Sequence, residues 1–498
     1  MAYQNSYAKR PAWKKNEPVV KQPRAIRAWS NLQKDIFTDI ATGKGNTQVD
    51  ALAGTGKTST IVEGFYHVPN GTSVLMCAFN ASIKKELESR APDGRGIEIK
   101  TLHALGYAAC RRAFPKLGRI DDKGEKLFGF IKAEKGEEPE TFELRSNLAK
   151  AVSLCKGYLA ESPQEIEDVL DRHDVDVCNE SREGFVTSVM KVMNACKKDT
   201  SRIDFDDMIW IPNVHELRLD KFGMVMIDEA QDLNLAQINL ALNSVAHNGR
   251  VISVGDCHQA IYGFRGADSD AIQNIVNRMN SKRMPLSVTY RCAKSIVQMA
   301  QTYVPELEAA PNAEDGLVDK IDTVRMEKLV KPGDFILSRV NAPLIKWCLA
   351  LLKARVPANI QGRDMGASLS SLIKKSKAKD VDGFLAWLED YREIEIERLV
   401  KAKRDSSVVE DKVECLRTLC EGTRSLSDVK DNIENLFRDG DNKNRVILSS
   451  THKAKGLERD TVFMLSDTYK PAKGIEEANL AYVAITRAKK ELYLVSGK

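Results

Sequence analysis

Short apolar segments alternate with amphipathic stretches along most of the chain. The apolar segments are rich in Val, Ile, Leu and Met, and they cover positions 48–52, 73–79, 223–227, 251–254, 335–338, 446–449, 461–465 and 492–495. Continuous apolar runs of this length, separated by segments with helical periodicity, are typical of a parallel sheet that helices cover on both faces. The pattern therefore predicts an α/β fold built on parallel sheets.

Two long stretches break this alternation. Residues 106–200 and 363–441 are charge-rich, carry helical periodicity and contain few strand signals, so we interpret both as helical insertions. A chain of 498 residues also exceeds the roughly 250–300 residues at which one hydrophobic core stops growing. The sequence thus predicts two α/β domains with one insertion each: 30–105 and 201–285 around the insertion 106–200, then 286–362 and 442–498 around the insertion 363–441.

The first 29 residues lack apolar periodicity and are strongly basic. Residues 1–27 contain seven Lys and Arg against one Glu, a net charge of +6, so the other 471 residues of this chain of net charge +5 carry −1. We interpret residues 1–29 as a flexible basic arm, which is either a solvated tail or an arm that contacts phosphate. The nearly neutral body excludes a histone-like polycation, and any nucleic-acid site in it must be a local groove.

Cysteine usage and hydropathy indicate a soluble intracellular protein. The ten Cys residues are scattered, and none belongs to a Cys-x-x-Cys pair, which predicts a reducing compartment and no structural metal. No uncharged apolar run reaches the ~18–20 residues that span a bilayer, and the basic N-terminus lacks the apolar core of a secretory signal. We therefore expect no membrane contact.

The segment 51–58, Ala-Leu-Ala-Gly-Thr-Gly-Lys-Thr, follows a predicted strand and opens a predicted helix. A glycine-rich turn lets backbone N–H groups close on phosphate, and the helix N-terminus adds a favourable dipole. Lys57 would reach the β- and γ-phosphates, and Thr58 would ligate Mg²⁺. The strict pattern has Gly at the first position, where this chain has Ala51. The segment predicts an ATP site.

A second segment, 225–232, supplies acids that the same chemistry needs. It reads Val-Met-Ile-Asp-Glu-Ala-Gln-Asp, an apolar strand that ends in Asp228 and Glu229. Asp228 would hold Mg²⁺, and Glu229 would polarise the attacking water. Acids at a strand end can also be ordinary helix caps, but that interpretation does not explain why they occur together with Lys57 and Thr58.

Six segments resemble, in order, the motifs of superfamily 1 DNA helicases of the UvrD/Rep/PcrA type: residues 51–58, 228–232, 255–267, 286–292, 449–458 and 479–489. The resemblance covers roughly residues 30–498 apart from the two insertions, and Ala51 fits it, since this family commonly has Ala there. Three segments are closer still to F-box-type DNA helicases and their phage relatives: residues 78–85, 100–103 and 451–458. The resemblance implies two RecA-like P-loop domains that close on Mg-ATP, with a helical insertion in each.

The resemblance also implies how the nucleotide is bound and hydrolysed. Gln33 would read the adenine edge, Tyr290 would stack on the adenine, and Glu458 would bond the ribose. The phosphate loop would consist of Ala53, Gly54, Thr55, Gly56, Lys57, Thr58 and Ser59. The catalytic side chains would be Lys57, Asp228, Glu229, Gln259, Arg291 and Arg487. Among them, Arg487 would be an arginine finger, a residue type worth ~10³–10⁵ in rate.

For DNA, the resemblance implies a track that runs over both domains. Tyr262 and Phe264 would stack on bases, and Arg265 would contact a phosphate or a base. Stacking is worth ~1–3 kcal/mol per base and tolerates any sequence, which suits a translocase. The other expected DNA contacts are Phe79, Asn80, Thr101, His103, Thr451 and His452.

Two departures from the family pattern are visible. Many relatives place Arg directly after the P-loop Thr to sandwich the adenine, whereas this chain has Ser59, so we expect weaker base selectivity. The insertion 363–441 is also much shorter than the accessory domain that regulates unwinding in the larger repair helicases.

These observations predict an ATP-dependent DNA helicase that uses ATP and Mg²⁺, moves 3′-to-5′ on single-stranded DNA and unwinds duplex DNA in replication, repair or recombination. The expected partners are single-stranded DNA, junctions with duplex DNA, and replication or recombination proteins. We expect the protein in the cytoplasm of a bacterium or phage-infected cell, or in the nucleus of a eukaryote. Two alternatives stay open: a translocase that strips bound proteins without efficient unwinding, and a nucleotide-gated DNA-binding switch.

Overall fold

The computed structural model describes residues 21, 24, 27–118, 120–122, 124–136, 141–173, 175–178, 180–263, 270–401, 406–437 and 444–497. The chain divides into two compact units, a first unit that ends at Ser287 and a second unit that begins at Val288. Each unit has a six-stranded parallel sheet, which confirms the predicted α/β class. None of the helices in these ranges combines the length and the apolar character that crossing a membrane requires.

The sheet of the first unit contains the strands β1 Thr47–Ala51, β2 Val74–Ala78, β3 Ile97–Thr101, β4 Phe222–Ile227, β5 Val245–Gly255 and β6 Lys282–Leu286. Their order across the sheet is β3-β2-β4-β5-β1-β6. All five residues of β2 are buried, because helices cover both faces of the sheet. The carboxyl ends of the inner strands lie side by side, with Asp50 in register with Gly255 and Cys77 with Ile227.

The helices that the structure describes in this unit are α1 Asn31–Thr42, α2 Lys57–His67, α3 Ala81–Arg90, α4 Leu102–Ala113, α5 Glu125–Lys135, α6 Phe142–Tyr158, α7 Pro163–Arg172, α8 Arg182–Lys198, α9 Phe205–Val214, α10 Leu235–Leu242 and α11 Ala271–Met279. Helices α5 to α8 confirm the predicted helical character of residues 106–200. Side chains of β2 alternate between two cores, with Met76 on one sheet face and Leu75 on the other. The insertion packs around a third core, which includes Leu148 and Phe185.

The second unit contains the strands β7 Val288–Thr289, β8 Glu308–Ala309, β9 Leu317–Asp322, β10 Phe335–Ser338, β11 Ala358–Ile360, β12 Val446–Ser450, β13 Arg459–Leu465 and β14 Ala488–Ser496. The large sheet has the order β11-β12-β10-β13-β14-β9, and β7 pairs with β8. Its described helices are α12 Lys294–Ala300, α13 Thr323–Leu329, α14 Ala342–Lys353, α15 Arg363–Ser376, α16 Val381–Lys401, α17 Ser407–Cys420, α18 Leu426–Leu436, α19 Thr451–Ala454 and α20 Ile475–Ile485.

Helices α15 to α18 confirm the predicted helical character of residues 363–441. Unlike the insertion of the first unit, they share one continuous core with the sheet. That core joins Ile336 of β10 and Phe463 of β13 to Phe384 of α16 and Leu416 of α17. This insertion is therefore an integral part of its unit.

Every predicted apolar run coincides with a strand, but the pattern missed β3, β6, β9 and β11 as well as the short β7–β8 pair. The first four are the outer strands of the two large sheets. Their sequences are more polar, for example Ile-Glu-Ile-Lys-Thr in β3 and Lys-Arg-Met-Pro-Leu in β6. Charged residues and Pro are common on outer strands, where they prevent pairing with another chain. An apolar-run criterion therefore finds the inner strands and misses the outer ones.

The prediction that residues 1–29 form a flexible arm is wrong for the last part of this range. Lys21, Arg24, Arg27 and Trp29 each contact the body of the first unit. Residues 1–20 lie outside the described residues.

Candidate nucleotide-binding site and nucleic-acid contacts

The loop between β1 and α2 has the geometry of a phosphate-binding turn. Gly54 and Gly56 adopt φ values of +73° and +82°, a region that disfavours residues with a Cβ. The Thr55 hydroxyl donates to the Leu52 carbonyl at 2.9 Å and holds the turn closed. Helix α2 begins at Lys57 without a side-chain cap. The first N–H groups of α2 are therefore available to an anion, which the helix dipole also favours.

Lys57 and Glu229 lie next to each other at this turn. The Lys57 Nζ is 3.6 Å from a Glu229 carboxylate oxygen, and the Gln231 amide donates to the same oxygen at 2.6 Å. Glu229 adopts φ +49° and ψ +46°, a left-handed conformation that costs ~1–3 kcal/mol for a non-glycine residue and is found mainly at functional sites. The backbone strain and the Gln231 bond together fix the Glu229 carboxylate beside Lys57.

Asp228 directly follows β4 and is buried. Burial, followed by the charge of Glu229, raises the pKa of Asp228 to about 7, although Lys57 acts in the opposite direction. A buried carboxylate of this kind is stabilised when a cation binds it. Carboxylate and hydroxyl oxygens are also the ligands that Mg²⁺ prefers. Asp228 therefore has the burial and the chemistry of a cation ligand, while its sharing of Mg²⁺ with the hydroxyl of Thr58, in the first turn of α2, stays a prediction.

The structure adds Asp256, an acid that the sequence did not single out. Its backbone N–H donates to the Gln231 amide oxygen at 3.0 Å, and its carboxylate accepts from the Gln259 amide at 2.6 Å. Burial raises the pKa of Asp256, against the effect of Lys57. Gln231 therefore links Glu229 to the Asp256–Gln259 pair. A sequence signal existed, since Asp256 directly follows a strand whose carboxyl end lies beside those of β1 and β4.

Gln33 and Ser59 flank the first turn of α2, and the polar groups of both are already bonded. The Gln33 amide donates to the Thr60 hydroxyl at 3.0 Å. The Ser59 hydroxyl accepts from Arg27 at 3.1 Å and from Arg90 at 3.3 Å. Two guanidinium groups therefore reach the position where many relatives carry their own Arg. The adenine contact expected of Gln33 stays a prediction.

Phe79 and His103 line a narrow cavity that also reaches Asp228. Phe79 directly follows β2 and is 39% exposed, whereas His103 lies in the first turn of α4. Burial lowers the pKa of His103, while the charge of Asp206 opposes this effect. Two residues that are expected to contact DNA thus lie next to the carboxylate that is expected to hold the cation.

Asn80 and Thr101 have local roles as helix caps. The Asn80 side chain accepts from the N–H groups of Ser82 and Ile83, both at 2.9 Å. The Thr101 hydroxyl accepts from the Ala104 N–H at 3.2 Å. Asn80 and Thr101 therefore serve as helix caps in this structure, and the DNA contacts expected of them stay predictions.

The expected stacking residues fall at the end of a described range. Tyr262 is partly buried. Phe264 and Arg265 lie outside the described residues.

A second charged group lies in the second unit, around Glu458. Arg291 and Lys489 lie 2.5 and 2.9 Å from the Glu458 carboxylate, and Arg291 also donates to the Thr486 carbonyl at 3.2 Å. Burial would raise the pKa of Glu458, but the charge of Arg291, with the contribution of Lys489, outweighs burial and lowers it. Tyr290 is 50% exposed, so its ring is accessible for stacking.

Arg487 is buried in the same unit. Its guanidinium donates to the Val483 and Leu457 carbonyls at 2.9 and 3.2 Å and to the Thr486 hydroxyl at 3.2 Å. Burial, followed by the charge of Arg291, lowers the pKa of Arg487 to about 9. Its role as an arginine finger stays a prediction, because the guanidinium must exchange some of these bonds before it reaches a phosphate.

The two remaining candidates for DNA contact lie at the start of α19. Thr451 is fully buried, and its hydroxyl lies 2.5 Å from that of Tyr469, which argues against a direct DNA contact. His452 is partly exposed. Only His452 of this pair presents a side chain that a strand can reach without rearrangement.

Two family models match this chain. The model of the UvrD/REP helicase N-terminal domain matches residues 32–280, and the model of the UvrD-like helicase C-terminal domain matches residues 374–498.

Three relatives illustrate the similarity. F-box DNA helicase protein 1 of Schizosaccharomyces pombe is 24% identical over 90% of this chain and 55% of its own length. The ATP-dependent DNA helicase PcrA of Bacillus subtilis is 26% identical over 53% of this chain and 38% of its own. The ATP-dependent DNA helicase Rep of Escherichia coli is 25% identical over 52% of this chain and 41% of its own. The matched regions thus span about half or less of these curated relatives, while the family models together cover most of this chain, which belongs to the UvrD/REP helicase family.

Proposed function

We propose that this protein is an ATP-dependent DNA helicase that tracks along single-stranded DNA in the 3′-to-5′ direction and hydrolyses ATP at the turn between β1 and α2. Membership in the UvrD/REP helicase family supports the class of activity. PcrA and Rep are ATP-dependent DNA helicases by name. The direction follows from the motif resemblance.

One observation carries the proposal: Phe79, His103 and Asp228 line the same cavity. Strand β2, which leads to Phe79, pairs with both β3 and β4, which lead to His103 and Asp228. A small shift of Asp228 during the ATP cycle is therefore transmitted directly to residues that are proposed to hold a strand. Interiors packed this closely respond to small displacements by moving between discrete arrangements. This cavity gives ATP hydrolysis a short path to DNA binding.

The side chains around the turn divide the chemistry among them. Lys57 neutralises phosphate charge, and Glu229, held by Gln231, orients the attacking water. Mg²⁺ held by Asp228 and Thr58 would neutralise the β- and γ-phosphates. Arg291 and Arg487 are proposed to stabilise charge on the transferring phosphoryl group.

Unwinding of forked duplexes that carry either a single 3′ tail or a single 5′ tail tests the proposal. We expect ATPase stimulation by single-stranded DNA and ATP-dependent unwinding of the 3′-tailed substrate alone. The Glu229→Gln variant should bind ATP and DNA but lose hydrolysis, which controls for contaminating ATPases.

Each other outcome has a defined meaning. Hydrolysis that is insensitive to DNA would exclude a DNA motor and leave the nucleotide-gated switch. Unwinding of the 5′-tailed substrate alone would reverse the proposed direction. Displacement of streptavidin from biotinylated single-stranded DNA without duplex unwinding would identify a protein-stripping translocase.

A further inference from the structure

Residues 21, 24 and 27–29, here called the N-terminal strap, lie against α2, the helix that opens the phosphate-binding turn. Arg24 forms two hydrogen bonds with Glu63 of α2, and its guanidinium lies 4.4 Å from the centre of the Tyr66 ring. Lys21 donates to the Ala91 carbonyl at 2.9 Å. The strap is therefore attached to the body of the first unit by hydrogen bonds and ring contacts.

Arg24 neutralises a carboxylate that is buried in the middle of α2. The Glu63 side chain is 6% exposed, and the Arg24 guanidinium bonds both of its oxygens. Burial would raise the pKa of Glu63, but Arg24, with help from His67, outweighs burial and lowers it. Only the carboxylate of this pair is buried, since the Arg24 side chain is 52% exposed, but removing Arg24 would still leave a buried charge poorly compensated. Within α2 itself only His67 lies beside this carboxylate, at 3.3 Å, so the strap supplies the guanidinium that balances the charge of Glu63.

Two further contacts extend the strap toward both ends of α2. Arg27 donates at 3.1 Å to the hydroxyl of Ser59, which lies in the first turn of the helix. Trp29 packs edge-on against Phe37 with ring centres 5.2 Å apart, and Phe37 stacks on His67 at 4.8 Å. The strap therefore contacts α2 in its first turn and its middle, and through Phe37 at its last residue.

From these contacts we propose that the N-terminal strap positions α2 for nucleotide binding, with Arg24 as a positioning residue that acts through Glu63. Helix α2 offers its N-terminal N–H groups to phosphate, so whatever fixes its place and rotation also fixes the anion site. Glu63 lies six positions after Lys57, so Arg24 acts on the helix rather than on the phosphate.

A coupling of this kind is reciprocal. If strap docking increases the affinity for nucleotide, then bound nucleotide increases the strength of strap docking by the same factor. The inference rests on the proposed nucleotide site, but it concerns how that site is held and needs no particular DNA activity.

The Arg24→Gln variant tests this inference, with three matched variants beside it. Arg24→Gln/Glu63→Gln removes both charges, and Arg24→Lys keeps the positive charge without the planar fork. Arg112→Gln is the control, because Arg112 also pairs with a carboxylate at 3.0 Å, yet that partner, Asp220, is 49% exposed. Such exposed pairs contribute little.

The measurements are the Kd of a fluorescent ATP analogue with Mg²⁺, the KM and kcat of ATP hydrolysis, and the melting temperature. Arg24→Gln should raise Kd and KM roughly tenfold, equivalent to about 1.4 kcal/mol, with kcat changed much less. The double variant should recover most of the affinity, Arg24→Lys should be intermediate, and Arg112→Gln should equal the wild type.

Trypsin gives the reciprocal measurement, because Arg24 and Arg27 are themselves cleavage sites. A non-hydrolysable ATP analogue should slow cleavage at both residues several-fold in the wild type. In Arg24→Gln, which keeps only the site at Arg27, the analogue should slow cleavage at Arg27 less.

The proposal is overturned if Arg24→Gln lowers the melting temperature but leaves Kd and KM unchanged, since the strap would then be only structural. Cleavage that is indifferent to nucleotide would also overturn it. If Arg24→Gln does not fold, Arg24→Lys and the double variant decide by the same Kd comparison. Failure of the proposed function is distinguishable, because it appears in the wild type as absent ATP binding or absent stimulation by DNA.

Discussion

The two charged groups that the helicase motifs supply differ in how their charges are balanced. In the first unit, the buried carboxylates of Asp228 and Asp256 have raised pKa values, because burial outweighs the nearby Lys57. In the second unit, Glu458 has a lowered pKa because Arg291 and a neighbouring lysine bond it. The first group is stabilised by an added cation, whereas the second is neutralised by its own side chains.

This difference suggests that the first group contributes to ligand binding, whereas the second group holds side chains in position. A carboxylate that is poorly balanced in the protein alone gains free energy when a metal–nucleotide complex arrives, so it contributes to affinity at the expense of stability. The Glu458 carboxylate, already paired with Arg291 and Lys489, gains little from an added cation and instead holds these two side chains in place. We therefore expect substitutions in the two groups to have opposite effects on stability.

The largest effect should come from Asp228→Asn in the first group. Without this carboxylate, Mg²⁺ is poorly held and hydrolysis should fall roughly 10³-fold, as for other losses of charge stabilisation at phosphoryl centres. The same change removes a buried charge, so the melting temperature in EDTA should rise. DNA-stimulated ATPase assays across a Mg²⁺ titration and thermal unfolding in EDTA measure the two effects. A lower melting temperature in EDTA would mean that Asp228 is balanced within the protein, contrary to the comparison.

Arg487→Ala should instead destabilise the second unit, through lost hydrogen bonds rather than lost charge, since burial and the charge of Arg291 already lower the pKa of Arg487. The guanidinium of Arg487 satisfies two carbonyls and one hydroxyl, and leaving such acceptors unpaired should lower the free energy of unfolding by about 3 kcal/mol. Urea unfolding followed by a probe in the second unit measures this loss. Unchanged unfolding together with lost hydrolysis would instead indicate an arginine that is free to serve as a finger.

The fold was predictable where one physical cause dominates. Inner strands are buried on both faces, so most of their residues are apolar, and β2 and β12 are visible in the sequence for that reason. The outer strands β3 and β6 carry charges and Pro, which an apolar-run criterion excludes. The helical insertions were found from their periodicity, but the way each one packs depends on partners distant in sequence, which periodicity does not contain.

The candidate site divides in the same manner. Lys57 and Asp228 were predictable because phosphate and Mg²⁺ chemistry dictates residue types at fixed places in a strand–turn–helix unit. The link from Gln231 to Asp256 spans 25 positions, and that from Arg24 to Glu63 spans 39. Such contacts arise from packing of distant segments and leave no local pattern. The basic arm was interpreted from its charge alone, which cannot reveal a buried partner.

A smaller effect is expected from Glu458→Gln. This change removes the charge that Arg291 and Lys489 share, and the expected ribose contact is weakened. Both ion pairs of Glu458 are partly exposed, and such pairs are worth at most ~1 kcal/mol. The KM for ATP should therefore rise about threefold, with little change in kcat. Steady-state kinetics at low and high salt measure this, and the effect should shrink with salt. Lys489→Gln provides the control, with a change in the same direction but smaller. A large fall in kcat would contradict a positioning role.

The smallest expected effect is on the pH dependence of the free energy of unfolding, to which the two groups should contribute with opposite signs. The pKa of Asp256 is raised above 3.8, so the folded protein keeps a proton that the unfolded chain has lost, and the contribution of this residue falls as pH rises above that value. The pKa of Glu458 is lowered below 4.5, so its contribution is complete above that value and is lost as pH falls through the folded pKa. In Asp256→Asn, the stability of the first unit should therefore decrease less as pH rises. In Glu458→Gln, the stability of the second unit should decrease less as pH falls. Hydrogen exchange of β5 and β13 amides in EDTA, corrected for intrinsic rates from about pH 3 to pH 8, resolves the two units separately. The same sign of change in both variants would mean that the two groups are balanced alike.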